Sequence, residues 1–316
     1  MDPSPLRYLS DAEVQGLLPE PRTAVSLARR ALVARAEGRA QVPPKPAVRL
    51  AGDGFANAMP AAVLDEDLLG CKWVTLVPDN PARGLPTAQG VMILSDARTG
   101  ETRALMGAAA LTAQRTAAVS GACLDALGDR SSPVAFLGAG VQARSHLLVL
   151  EALGYAETRV YARRPEARED LSAWAAEAVP TLRLEVTDDP RAAVEGAGTV
   201  ITGLSIGLRG QELDPGWVRE DALLLPLDYS SSVGSRLARE ATLVSDDVEQ
   251  LAAVAPAKLA ADYPPATGWT GDAIRQPRPA GRLVCQNLGI AATDVVFAAY
   301  VADRAADRGA GTVLAR

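Results

Sequence analysis

The chain has 316 residues, a net charge of −6 and a single histidine. That length exceeds one small core and suits a two-domain enzyme, while charges dispersed without a run of Lys or Arg argue against a nucleic-acid partner. Cys71, Cys123 and Cys285 are odd in number and form no C-x-x-C pair, so neither a disulfide framework nor a thiolate metal site is expected, and one histidine excludes a His-based zinc site.

The opening MDPSPLRYLSDAEV lacks the charged and apolar regions of a signal peptide, and no later segment reaches the ~18 apolar residues of a membrane span. A cytoplasmic protein with no membrane partner is expected. From about Glu20 to Gly38 an Ala/Leu/Val-rich amphipathic run predicts a helix. After PPKP come five β-like segments, AVRLAG, FANAMPAAV, GCKWVTLV, QGVMILSD and TRALMG, which read as an antiparallel α+β domain. Residues 111–127 predict a long helix, followed by a hinge at GDRSSP. From Pro133 the rhythm changes to strands at PVAFLG, TRVYA, LRLEV, TVITG, ALLLPLD and ATLVS, with helices from Val141 and through LSAWAAEA. That alternation predicts a doubly wound parallel sheet of Rossmann type, and AATDVVFAAYVADRAADRG closes the chain as a helix.

Gly138, Gly140 and Ala143 form a G-x-G-x-x-A directly after an apolar strand and at the opening of a helix. The first glycine permits the tight turn, the second lets backbone approach a pyrophosphate, and the small third residue lets helix and strand pack closely. His146, one turn into that helix, reads as a partly exposed residue without catalytic duty. At the end of the second strand, where an NAD site places Asp or Glu to bind a ribose, stand Ala162, Arg163 and Arg164. Two guanidinium forks without a carboxylate suit a 2′-phosphate, so NADP(H) is preferred over NAD(H), which stays possible.

Residues 70–120 carry K-W-V, N-P-x-x-G-L-P-T and L-T-A-x-R-T-A-A segments, and with GAGVQA and the closing QNLGIAATDVVFAAYVADRAADRGAG they resemble the ornithine cyclodeaminase/mu-crystallin family. The resemblance runs from about Val48 onward. It implies a substrate-binding and dimerisation domain (1–128 with 293–316), an inserted Rossmann dinucleotide-binding domain (129–292) and a homodimer. Arg49 and Arg115 match the family's carboxylate-binding positions, and forks of this kind are the usual holders of an α-imino or α-amino acid carboxylate. Lys72 resembles a group that binds that carboxylate or assists proton transfer. Met59 and Pro60 look like a pair lining the substrate pocket, and Thr87 like a hydroxyl close to cofactor or substrate. Among cofactor contacts the resemblance also implies Arg115, Ala139, Val141, Gln142, Thr202 and Leu288. Asp228 is the counterpart of the family's acid after the fifth Rossmann strand, although Pro226-Leu227 stand where relatives carry a glycine before that acid.

These residues support an NAD(P)H-dependent reductase or dehydrogenase of the C=N or C–N bond of a small imino or amino acid, with Lys72 and Asp228 as catalytic candidates. A cyclodeaminase that recycles its own NAD+ on ornithine or lysine, and a binding protein that holds NADP(H) without turnover, are the alternatives.

Overall fold

The computed structural model describes residues 5–50, 54–206 and 210–315, except for the side chain of residue 81. In chain order the first elements are β1 (Leu6–Leu9), α1 (Asp11–Leu17), α2 (Pro21–Ala36), β2 (Ala40–Gln41), β3 (Ala47–Arg49), β4 (Phe55–Val63), β5 (Leu68–Leu76), β6 (Ala88–Asp96), β7 (Thr102–Gly107) and α3 (Ala109–Leu127). Then follow β8 (Val134–Leu137), α4 (Val141–Leu153), β9 (Glu157–Tyr161), α5 (Pro165–Ala178), β10 (Arg183–Thr187), α6 (Pro190–Val194), β11 (Thr199–Thr202) and β12 (Leu223–Pro226). The chain continues through α7 (Ser235–Arg239), β13 (Ala241–Ser245), α8 (Val248–Lys258), β14 (Gly268–Trp269), α9 (Thr270–Ala273) and β15 (Arg282–Gln286), and ends on α10 (Ala291–Arg308) and β16 (Thr312–Leu314).

Two compact units result, one running to Arg115 and resuming at Gly289, the other spanning Thr116–Leu288. The boundary lies inside α3 and just ahead of α10, rather than at 128/129 and 292/293, because the second half of α3 packs with the Rossmann unit.

In the first unit the sheet order is β16-β1-β7-β6-β5-β4-β2, with β3 also paired to β4. The long strands β4 to β7 are antiparallel, as expected. The expectation of a wholly antiparallel sheet is corrected at its far edge, where β1 runs parallel to β7 and antiparallel to β16. Both strands escaped the sequence reading because each is too short to show an alternating period. Helix α1 starts on a capping box, with Ser10 accepting from the Glu13 N–H and Glu13 accepting from the Ser10 N–H.

Helix α10 packs on α2 and across β4, β5 and β6. Its face is a nearly continuous buried run of Ala and Val interrupted by Asp294. The period of two on β5 then decides which residues meet that helix. Leu68, Gly70 and Lys72 point to the buried side, whereas Leu69 and Trp73 are exposed on the other.

The second unit is an eight-stranded, wholly parallel sheet in the order β10-β9-β8-β11-β12-β15-β13-β14. The first five positions follow the 3-2-1-4-5 order of the Rossmann fold, with the switch point between β8 and β11. Strand β15 lies between β12 and β13. Its five residues, RLVCQ, carry no alternation that would have disclosed it.

Candidate functional site: a dinucleotide cleft and a buried cation cluster

A cleft of about 560 Å³ opens at the carboxyl ends of the strands flanking the switch point. Its lining includes Gly138, Ala139 and Gly140, the Tyr161–Arg164 turn, and Gly203 with Leu204 after β11. Gly138 has φ +119°, and a Cβ there would come within 2.8 Å of the Gly203 carbonyl oxygen. Only glycine fits that turn. Gly140 caps α4 without any side-chain hydrogen bond, and the position of its missing Cβ has no atom within 4 Å. Free N–H groups at a helix N-terminus facing open space form the usual seat of a pyrophosphate, so the residues present fit a dinucleotide.

Arg163 and Arg164 are exposed on the cleft wall, and among the described residues neither has a carboxylate partner. Their turn is braced by Arg168, which donates to the carbonyls of Ala162 (3.0 Å) and Arg163 (3.1 Å). One acidic side chain, Glu212, also lines the cleft.

Other expected cofactor contacts lie off the lining. Val141 is exposed on the first turn of α4, and the Gln142 carbonyl accepts from His146. Thr202 is buried and donates to Asp228 at 2.7 Å, and the Leu288 N–H donates to Asp246 at 3.0 Å. Thr87 belongs to the other unit, where it precedes β6 and its carbonyl accepts from the Val77 N–H.

Asp228 follows β12, has no exposed surface, and accepts from Thr202 through Oδ1 and from Ser232 through Oδ2 at 2.5 Å. Burial raises its pKa, and the Ser232 and Thr202 hydroxyls counter that shift. The expectation of an acid presented to substrate therefore meets a carboxylate with both oxygens engaged inside the Rossmann unit. The next residue, Tyr229, is held at φ +58°, an uncommon conformation for a residue with a side chain.

His146 differs from its expected partial exposure. It is fully buried between the Gln142 carbonyl, 2.7 Å from Nδ1, and the Ser120 hydroxyl, 2.9 Å from Nε2. Nδ1 must donate to the carbonyl, and with burial keeping the ring neutral Nε2 accepts from Ser120. Burial pushes its pKa down to about 4. A folded-state value below the unfolded 6.5 makes the unfolded chain bind more protons between the two, so this contribution is intact above pH 6.5 and lost as pH falls toward 4. Unfolding free energy is expected to drop by on the order of 3 kcal/mol across that window. Urea melts of wild type and His146→Gln should show that drop only in the wild type.

The first unit contributes a different chemistry. Lys72 is buried in β5 between its register partners Met59 and Met92, and its Nζ donates to Asp294 Oδ1 at 2.7 Å. Arg115 Nε lies 3.0 Å from the same oxygen, close enough for an ion pair but off the angle of a hydrogen bond. The end of the Arg115 guanidinium rests beside Gly289, where φ is +75° and a Cβ would come within 2.5 Å of Nη1. Burial, then the charge of Arg115, brings the Lys72 pKa down to about 7, with Asp294 opposing both. Met59 is thus brought against Lys72, while Pro60 pairs with Cys71 and is half-buried. Arg49 is not brought in, being exposed on β3. Asp294 and Gly289 were missed by the sequence reading, although a lone acid inside an apolar helical stripe was a signal for the first.

Among the described residues no group of three or more His, Cys, Asp or Glu could hold a metal, and no helix is long and apolar enough to cross a membrane. A Rossmann unit whose glycine turn and helix start fit a dinucleotide, in one chain with a unit carrying two buried cations on one carboxylate, is the architecture of a dinucleotide-binding protein. The chain belongs to the ornithine cyclodeaminase/mu-crystallin family, whose model matches residues 9–309. It is 27% identical to the nodulation efficiency protein NfeD of Rhizobium meliloti over 98% of this chain and 99% of that one. Over 48% of each chain it is 34% identical to a Δ1-pyrroline-2-carboxylate reductase of Burkholderia multivorans. The solved archaeal alanine dehydrogenase dimer with bound NAD superposes with a TM-score of 0.85 at 25% identity, covering 98% of this chain and 99% of that one.

Proposed function

We propose that the protein is an NADP(H)-dependent reductase of the C=N bond of a small imino acid, cyclic or formed from a keto acid and an amine. The observation that carries this reading is the Lys72–Asp294–Arg115 cluster, two buried cations sharing one carboxylate oxygen. With Lys72 protonated the cluster holds one positive charge in excess, which suits one substrate carboxylate. The Gly138–Gly140 turn and the first turn of α4 would hold the dinucleotide phosphates, and Arg163 and Arg164 its 2′-phosphate. When bound, the nicotinamide supplies a hydride to the α-carbon. Arg115 and Lys72 hold the carboxylate, and Lys72, poised near neutrality, gives its proton to the nitrogen. Asp228 serves as a brace for Thr202 and Ser232 at the end of β12. Cysteines without a disulfide between them suit a reducing, cytoplasmic setting in amino-acid metabolism.

The test is a substrate panel followed by cofactor absorbance, comparing cyclic imino acids, keto acids with ammonia or methylamine, and ornithine or lysine. NADPH consumption with an imino acid is expected. Redox-neutral release of ammonia from ornithine or lysine would favour the cyclodeaminase, and cofactor binding without turnover would favour a binding protein.

The working unit we infer is a homodimer. Leu69 and Trp73 on β5 and Val91 and Ile93 on β6 are exposed on the sheet face opposite α10, with Trp73 directly across from Val91 and Cys71 across from Ile93. A contiguous apolar sheet face of this kind calls for a cover, and the related alanine dehydrogenase is a dimer. Sedimentation at micromolar concentration should give twice the 32.9 kDa of one chain, and Trp73→Glu should shift it to the monomer.

A further inference from the structure

We propose that Asp294 is a positioning residue for the reaction, anchoring Lys72 and Arg115 at one oxygen and limiting the cluster to a single net positive charge. This deepens the reductase reading and rests on it for the identity of the substrate carboxylate.

The geometry is specific. Lys72 arrives from β5 and Arg115 from α3, and both reach Oδ1 of Asp294, which has no exposed surface. Oδ2 is buried without a partner among the described residues. Asp294 sits in the first turn of α10, after an N-cap, Ile290, that offers no side-chain hydrogen bond. The positive end of that helix favours an acidic side chain at this position. Replacement by a neutral residue would leave two cations in a low-dielectric interior with no anion between them, the costliest arrangement such a site can adopt. The charged groups acting on Lys72 are Arg115 and Lys45, which oppose its protonation, and Asp294, which favours it.

If Asp294 merely filled space, its replacement by the isosteric Asn would cost stability by an amount independent of pH. If it sets the charge, the cost must follow the protonation of Lys72. In the wild type the folded-state pKa of Lys72, about 7, lies below the unfolded 10.5, so its charged form is penalised at neutral and lower pH and the penalty is relieved as pH rises above 7. Without Asp294 that relief starts at lower pH, because Lys72 gives up its proton sooner.

The experiment compares thermal melts of wild type and Asp294→Asn between pH 5 and 8, in the absence of any substrate. The gap in melting temperature is expected to be widest at pH 5 and to narrow toward pH 7, whereas a constant gap overturns the proposal. Should Asp294→Asn fail to fold, Lys72→Met is added to it. Removal of one surplus cation is expected to restore folding, and no restoration overturns the proposal. Where wild type turns over an imino acid, the alkaline limb of kcat/KM is expected to move down by one pH unit or more in Asp294→Asn, with NADPH affinity unchanged; superimposable profiles count against it. A wild type that reduces no imino acid refutes the functional reading, while the melts still decide the role of Asp294.

Discussion

Lys72→Met is expected to lower kcat/KM for the imino acid by on the order of 10²–10⁴-fold while leaving the fold intact. Methionine suits the slot, because the neighbours of Lys72 across the strands are Met59 and Met92, both buried. Asp294 keeps its ion pair to Arg115 in the variant, so no buried charge is orphaned. What disappears is the excess positive charge and the Lys72 proton, which titrates near neutrality. Lys72 is protonated below about pH 7, so wild-type kcat/KM should hold on the acid side and fall above that value. Steady-state kinetics across pH 6–9 separates the two jobs of this residue. A fall in kcat with loss of the alkaline limb identifies the proton donor, whereas a rise in KM with kcat preserved confines Lys72 to carboxylate binding and moves the donor elsewhere.

The double variant Arg163→Ala/Arg164→Ala is expected to weaken NADPH selectively. Each charge-assisted contact to a phosphate is worth about 1–3 kcal/mol, so the loss should reach roughly one to two orders of magnitude in affinity per contact. Both side chains are exposed on the cleft wall, and replacing them should disturb neither the turn, which Arg168 holds through backbone carbonyls, nor the core. NADH affinity should be nearly unchanged. Fluorescence titration of the two cofactors reads the difference, and an equal loss for both would show that the arginines are solvated charges and that the cleft makes no distinction between the cofactors.

The Rossmann unit was legible where its physics is local. A run of apolar residues, two glycines and a helix start specify a strand, a turn and a cap within a dozen residues, and the absence of an acid after β9 is visible in three letters. The alternation of strand and helix announced a parallel sheet through β8 to β12, while the order of its strands belongs to the tertiary structure. Residues 70–120 carried the family resemblance because their motifs are contiguous.

Other features depended on segments distant in sequence. Strands β1 and β16 pair with each other from opposite ends of the chain, and β1 with the distant β7, and they carry almost no pattern of their own. The alternation along β5 shows that Lys72 differs in facing from Leu69 and Trp73, but not which face is covered; the docking of α10 decides that. His146 read as a partly exposed helical residue until Ser120, on α3, supplied the partner that allows a ring to be buried neutral. Arg49 and Arg115 looked equivalent in sequence, yet one is exposed on a short strand and the other is held by Asp294 and fitted beside Gly289. The sequence by itself determined the fold class, the dinucleotide turn and the cations available for a carboxylate, since these depend on neighbours along the chain. Only the tertiary structure decided which cations share an anion and which carboxylates are buried, because burial and ion pairing are properties of elements brought together from far apart in the chain.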